Sequence, residues 1–114
     1  MHRACYNPIK FDGFNATSKV ESVAMASGGN RMFVGTGDGN LLVCECRMDN
    51  TQQYTVSSTS VIRKSKERKA VYSALKIYES WRIIVGIIDG IIMVYDTQTC
   101  QCICQLLDSK NCTL

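Results

Sequence analysis

The sequence predicts an all-β chain made of two four-stranded antiparallel units. Three observations lead there. No segment keeps a 3.6-residue apolar period for more than a few positions. Short alternating or continuous apolar stretches are instead separated by turn-forming residues. And "VGTGDG" at 34–39 returns as "VGIIDG" at 85–90, 51 positions on (85 − 34).

The strands follow in order. "VESVAMA" (20–26) alternates and reads as the first, and "SGGN" (27–30) turns the chain. "RMFVGT" (31–36) is the second strand, and "GDGN" (37–40) carries the Asp-Gly signal of a hairpin. "LLVCECRM" (41–48) is the third, "DNTQQ" a polar loop, and the β-branched "YTVSSTSVI" (54–62) the fourth. The pattern then restarts with "VYSALKIY" (71–78), "RIIVGI" (82–87), Asp89-Gly90, "IIMVYD" (91–96) and "CQCICQLL" (100–107). Trp81 opens a strand and is expected to pack under the sheet edge, with ligand stacking as the minor alternative.

Laid over one another, the units match Val20 with Val71, Ser22 with Ser73, and Arg31, Val34 and Gly35 with Arg82, Val85 and Gly86. Asp38-Gly39 meets Asp89-Gly90, and Leu42-Val43 meets Met93-Val94. A repeat of this length and content is the signature of a propeller blade. The reading divides 1–114 into an N-terminal strand segment (1–14), a first blade (15–62) and a second blade (71–109), together an incomplete β-propeller. Gly35 and Gly86 fit places of close backbone approach, and Gly39 and Gly90 fit positive φ. "GTGDG" is not a phosphate loop, because no helix follows it. "RIIVGIIDGIIMVY" is nearly continuous, as in strands buried on both faces between neighbouring blades.

Composition bounds the function. The chain has 114 residues, enough for one small domain, and a net charge of +3 is too weak to argue for nucleic acid. No apolar run is long enough to span a membrane, and "MHRACYNPIKFDGF" lacks the apolar core of a secretory signal. A reducing, cytoplasmic location follows, in which the sequons at Asn15 and Asn111 carry no glycan and the seven cysteines stay thiols. "CEC" and "CQCIC" have strand spacing rather than the C-x2-4-C of zinc knuckles, and His2 is the only histidine, so the cysteines read as small buried hydrophobes without metal. There is no G-x-S-x-G, no nucleotide loop and no paired acid and base, so no catalytic, cofactor or metal residue is assigned and the chain reads as a non-enzyme. The one charge run is "RKSKERK" (63–69), with Arg63, Lys64, Lys66, Arg68 and Lys69 against Glu67. It reads as a solvated inter-blade loop, or alternatively as a basic patch for anionic headgroups or an acidic partner.

Several motifs resemble a known family. Met1-His2 with Tyr6 and Pro8, the hairpin Val34-Gly35-Thr36…Gly39…Leu41-Leu42, and Val94-Tyr95-Asp96…Thr99 are similar to the start of the citron-homology (CNH) propeller. The likeness is to vacuolar-sorting tethering proteins, the vacuolar protein sorting-associated protein 39 and TGF-beta receptor-associated protein family of HOPS/CORVET subunits. It covers nearly the whole chain but only about two blades of a propeller of about 4–8. Generic WD-repeat blades also write "DG-x-I-x-V-x-D", so a WD-repeat-type scaffold is the alternative; the absence of Gly-His and Trp-Asp pairs tilts against it. The resemblance implies a protein-interaction unit in endosome, lysosome or vacuole fusion, peripheral on those membranes, with a Rab-family GTPase and other tether subunits as partners. It also implies that residues 6–14 belong to a last blade absent here. The isolated chain is then expected to expose an apolar flank, to self-associate or dissolve poorly, and to bind no Rab tightly alone.

Overall fold

The computed structural model describes residues 11–12, 14, 18–48, 54–63 and 71–106. Nine strands run β1 (Phe11–Asp12), β2 (Val20–Met25), β3 (Arg31–Thr36), β4 (Leu41–Met48), β5 (Tyr54–Arg63), β6 (Tyr72–Tyr78), β7 (Ile83–Ile88), β8 (Ile91–Asp96) and β9 (Cys102–Leu106). The only helical piece among the described residues is a 3-10 turn, Glu79–Trp81. Strands β2–β5 form one antiparallel meander and β6–β9 another, and neither sheet closes on itself. The all-β architecture and the eight expected strands are present. The ninth, β1, pairs in parallel with β5 through Phe11↔Tyr54 and Asp12↔Thr55. The N-terminal stretch therefore extends the first sheet at these two residues. A long outer strand such as β5 presents unpaired backbone groups that even a short extended piece can satisfy, and a two-residue strand has no periodicity to read.

The two hairpins differ in length. Asp89 (φ 51°) and Gly90 (φ 74°) alone separate the paired Ile88 and Ile91, the type I′ turn that suits the twist of the strands. In the first hairpin Thr36 N–H donates to Asn40 O (3.0 Å), so Gly37, Asp38 and Gly39 intervene, and Gly39 closes the turn at φ 87°. The expected positive φ at Gly39 and Gly90 is observed. The extra residue corrects the alignment of the units. The register shifts of β2 (between Val20 and Ser22) and of β6 (between Tyr72 and Ala74) coincide at an offset of 52 (72 − 20), not 51. Val20 is thus the counterpart of Tyr72, Val34 of Gly86, and Gly35 of Ile87. After the hairpin the offset returns to 51 (93 − 42), and Leu42-Val43 matches Met93-Val94 as expected. The shared "VG" letters had aligned residues that the longer turn places one step apart.

This register decides which faces meet. Phe33, Leu41 and Val43 point from the first sheet into one core with Tyr72, Ile84, Ile88, Met93 and Tyr95 of the second. Met32, Val34, Leu42, Cys44, Cys46 and Val56 form a second core on the opposite face of the first sheet, with Phe14 and Met25 packed on it. The counterparts of Phe33, Leu41 and Val43 are Val85, Ile92 and Val94, which point away from the first sheet. The counterparts of Met32, Leu42 and Cys44 are Ile84, Met93 and Tyr95, which point towards it. The front of one sheet packs on the back of the next, a head-to-tail relation.

The second sheet is consequently buried on one face only. Ile87 is 42% exposed, against the expectation that "RIIVGIIDGIIMVY" would be covered on both sides. A continuous apolar run reports that both faces are apolar; it does not report that both are covered.

Two glycines test this geometry. A Cβ on Gly35 would come within 2.9 Å of Tyr72 Cβ, across the sheet junction, whereas a Cβ on Gly90 would meet nothing within 4 Å. Gly35→Ala is expected to fail by collision and Gly90→Val by backbone strain alone, each costing more than about 1 kcal/mol. Urea denaturation of both variants, with Gly28→Ala as an uncrowded control, checks the assignment.

Candidate functional site

The described surface offers three places where chemistry or recognition could reside. The first is the junction below the basic run. Arg63 ends β5 half-buried, with its guanidinium beside the hydroxyls of Tyr72 and Tyr95. The two hydroxyls share a buried hydrogen bond of 2.7 Å. Hydrogen bonding to Tyr72 raises the Arg63 pKa further. Burial, followed by the Tyr72 hydroxyl, pushes the Tyr95 pKa well above its ordinary 10.0. Arg63 Nη1 is buried with no hydrogen-bond partner among the described residues. Of the five predicted patch residues, Arg63 thus serves the sheet junction. Lys64, Lys66, Arg68 and Lys69 lie outside the described residues, as do Cys5 and Cys112.

The second place is a cleft of about 430 Å³ at one end of the junction, lined in part by Arg31, Glu45, Glu79, Thr97 and Gln98. Its polar groups are largely engaged with one another. Arg31 Nε meets Glu45 Oε2 at 2.8 Å, and Arg31 Nη1 donates to Thr97 O and to Gln98 O. Ser27 N–H donates to Glu79 Oε1 at 2.8 Å. The Asp96 carboxylate holds the same loop by accepting the Thr99 and Gln98 N–H groups, which lower its pKa. The cleft clips the two sheets together. Among the described residues no group of three or more His, Cys, Asp or Glu is placed to hold a metal.

The third place is the outer face of the second sheet. Cross-strand register lines up Ala74, Ile87, Ile92 and Leu106 in one row and Lys76, Val85, Val94 and Cys104 in the next. Tyr78 and Trp81 flank these rows. Their rings stack with centroids 6.4 Å apart, and Lys76 Nζ stands 5.2 Å from the Tyr78 ring centre. Trp81 is 75% exposed and ends the 3-10 turn; it does not open a strand or lie under the sheet edge. The turn lifts it because Arg82 adopts a left-handed conformation (φ 57°), its N–H donating to Glu79 O. Exposed Trp and Tyr beside an apolar sheet are the residue types that anchor protein interfaces. The sequence signal for this cluster is "YESW" (78–81) directly before an unbroken apolar strand.

No protein-family model matches the chain, and no curated protein matches it. Its functional reading therefore rests on these surfaces and on the motifs themselves.

The tyrosine pair makes a stability prediction. Tyr72→Phe or Tyr95→Phe leaves a buried hydroxyl without its partner and is expected to cost about 1–3 kcal/mol. The double variant should cost less than the sum, as read in a denaturant double-mutant cycle. The raised Tyr95 pKa favours the fold while the phenol is neutral. That contribution is complete below the unfolded pKa near 10.0 and is lost as pH rises above it. Tyr95→Phe should flatten the alkaline limb of the stability profile.

The thiols make another. Cys44 and Cys46 are buried, as expected, and burial raises both pKa values; Cys102 and Cys104 are exposed, against the expectation of buried cysteines, because β9 is the end strand of the second sheet. Native protein treated with a thiol reagent should react at Cys102 and Cys104 ahead of Cys44 and Cys46, which should be modified only on unfolding. Mass mapping of the labelled peptides reads the order.

Proposed function

We propose that this chain works by protein recognition rather than catalysis, as two consecutive blades of a citron-homology-type propeller from a vesicle-tethering subunit. The observation that supports this most is the head-to-tail stacking of the two meanders. That relation, carried on, is the way a propeller stacks its blades, and it leaves an apolar, aromatic-flanked face for the next surface to cover. The motifs Val34-Gly35-Thr36 and Val94-Tyr95-Asp96 support the tethering family in particular. On this reading the chain contributes to endosome, lysosome or vacuole fusion. Its partners are other HOPS/CORVET-type subunits and a Rab-family GTPase, and it associates with those membranes peripherally. Among the described residues no helix is long and apolar enough to cross a membrane.

Proximity labelling tests the proposal. A biotin ligase fused to the chain is expected to mark tether subunits and a late-endosomal Rab, and Ile87→Lys on the outer face should deplete the tether subunits. Labelling confined to an unrelated scaffold assembly would favour a WD-repeat-type role and overturn the tethering assignment.

A further inference from the structure

We propose that the free edge of the second sheet is a self-pairing edge, at which β9 of one copy adds antiparallel to β9 of a second copy. Among the described residues β9 hydrogen-bonds to β8 alone, and no described strand pairs with the N–H and C=O groups of its other side. Four of its five residues are exposed, and Ile103 is 55% exposed. The outer edge of β5 is paired by β1 at Tyr54 and Thr55, and beyond them it presents the exposed polar Ser57, Ser58, Thr59 and Ser60, which have little apolar surface to bury. β2 and β6 pack against each other across the junction. β6 also carries Lys76, the sort of charge that guards an edge.

The composition of β9 favours a second copy over a foreign strand. Two identical antiparallel strands related by a two-fold axis bring the residues beside the axis opposite their own equivalents and pair the remainder reciprocally, so a strand carrying one sign of charge would repel itself. From Cys100 to Leu107 the sequence CQCICQLL has no charge, no proline and no glycine. Its side chains are Cys, Gln, Ile and Leu, all of which can stand opposite themselves, and Gln can hydrogen-bond its own kind. The pairing would also prolong the outer face. Cys104 and Leu106 end the rows that run through Val94 and Ile92, so two copies would join their apolar faces into one eight-stranded surface across the axis.

Sedimentation velocity of the full chain over a range of concentrations tests this, with hydrogen exchange as a local readout. The wild type is expected to form a concentration-dependent dimer whose β9 amides exchange more slowly as dimer accumulates. Ile103→Lys sets two cations across the axis and should weaken dimerisation by about tenfold or more. Ile87→Lys, on the outer face, should leave it unchanged. Circular dichroism confirms the fold of each variant, and Gln105→Lys replaces Ile103→Lys if the latter fails to fold. A wild type that stays monomeric would overturn the proposal. So would a folded β9 lysine variant that dimerises like the wild type, or a dimer abolished by Ile87→Lys alone.

Discussion

One buried ring sets the geometry of this molecule. Tyr72 is wholly inaccessible and stands where the chain enters its second sheet. Its Cβ approaches Gly35 of the first sheet, and its ring lies over Gly86 of its own. A side chain at either glycine would occupy the volume the tyrosine fills. The hydroxyl reaches past both to Tyr95 and lies beside Arg63, so the polar end of the ring is satisfied inside the junction. Glycine inside a strand costs about 0.5–1 kcal/mol relative to alanine, and burying a ring of this class returns about 1.5–3 kcal/mol. The two glycines are thus tolerable because they admit one residue that joins both sheets.

The second constraint is turn length. A three-residue turn in the first hairpin and a two-residue turn in the second displace the units by one position before the turn and leave them aligned after it. Because strand side chains alternate, that single residue decides which face each apolar position occupies. The front-to-back stacking holds on both sides of the turn, with Ile84 standing for Met32 before it and Met93 for Leu42 after it.

These two facts mark what could be read in advance. The eight strands of the two meanders, most of their limits to within a residue, and the positive φ at Gly39 and Gly90 were legible, because alternation and Asp-Gly turns are local signals; the two-residue β1 was not. The close approach at Gly35 and Gly86 was legible as well, although not that one tyrosine serves both. The register was not, because "VG" and "DG" recur at constant spacing while the residue that matters is hidden in the turn. The polar inventory of the junction was missed because Arg63 belongs by sequence to a run of cations, and only the path of β5 turns it towards Tyr72 and Tyr95. Trp81 was misplaced for a related reason: a left-handed Arg82 carries no strong sequence signal, yet it ends the turn that holds the indole in solvent.

The outer face of the second sheet inherits its shape from the same register. Its rows repeat those that the first sheet presents to Tyr72, with Val85 for Phe33, Ile92 for Leu41 and Val94 for Val43. One position breaks the equivalence, since the counterpart of Gly35 is Ile87. Where the first sheet has a hollow that receives a tyrosine, the second has a projecting branched side chain. A surface that covers this face cannot copy the junction already formed. Its own residue opposite Ile87 must be small, or it must meet the face at a different angle. The chain therefore repeats a fold without repeating the face it presents: Ile87 fills the place of the hollow at Gly35, and the Tyr78–Trp81 pair stands at the far end of the same face.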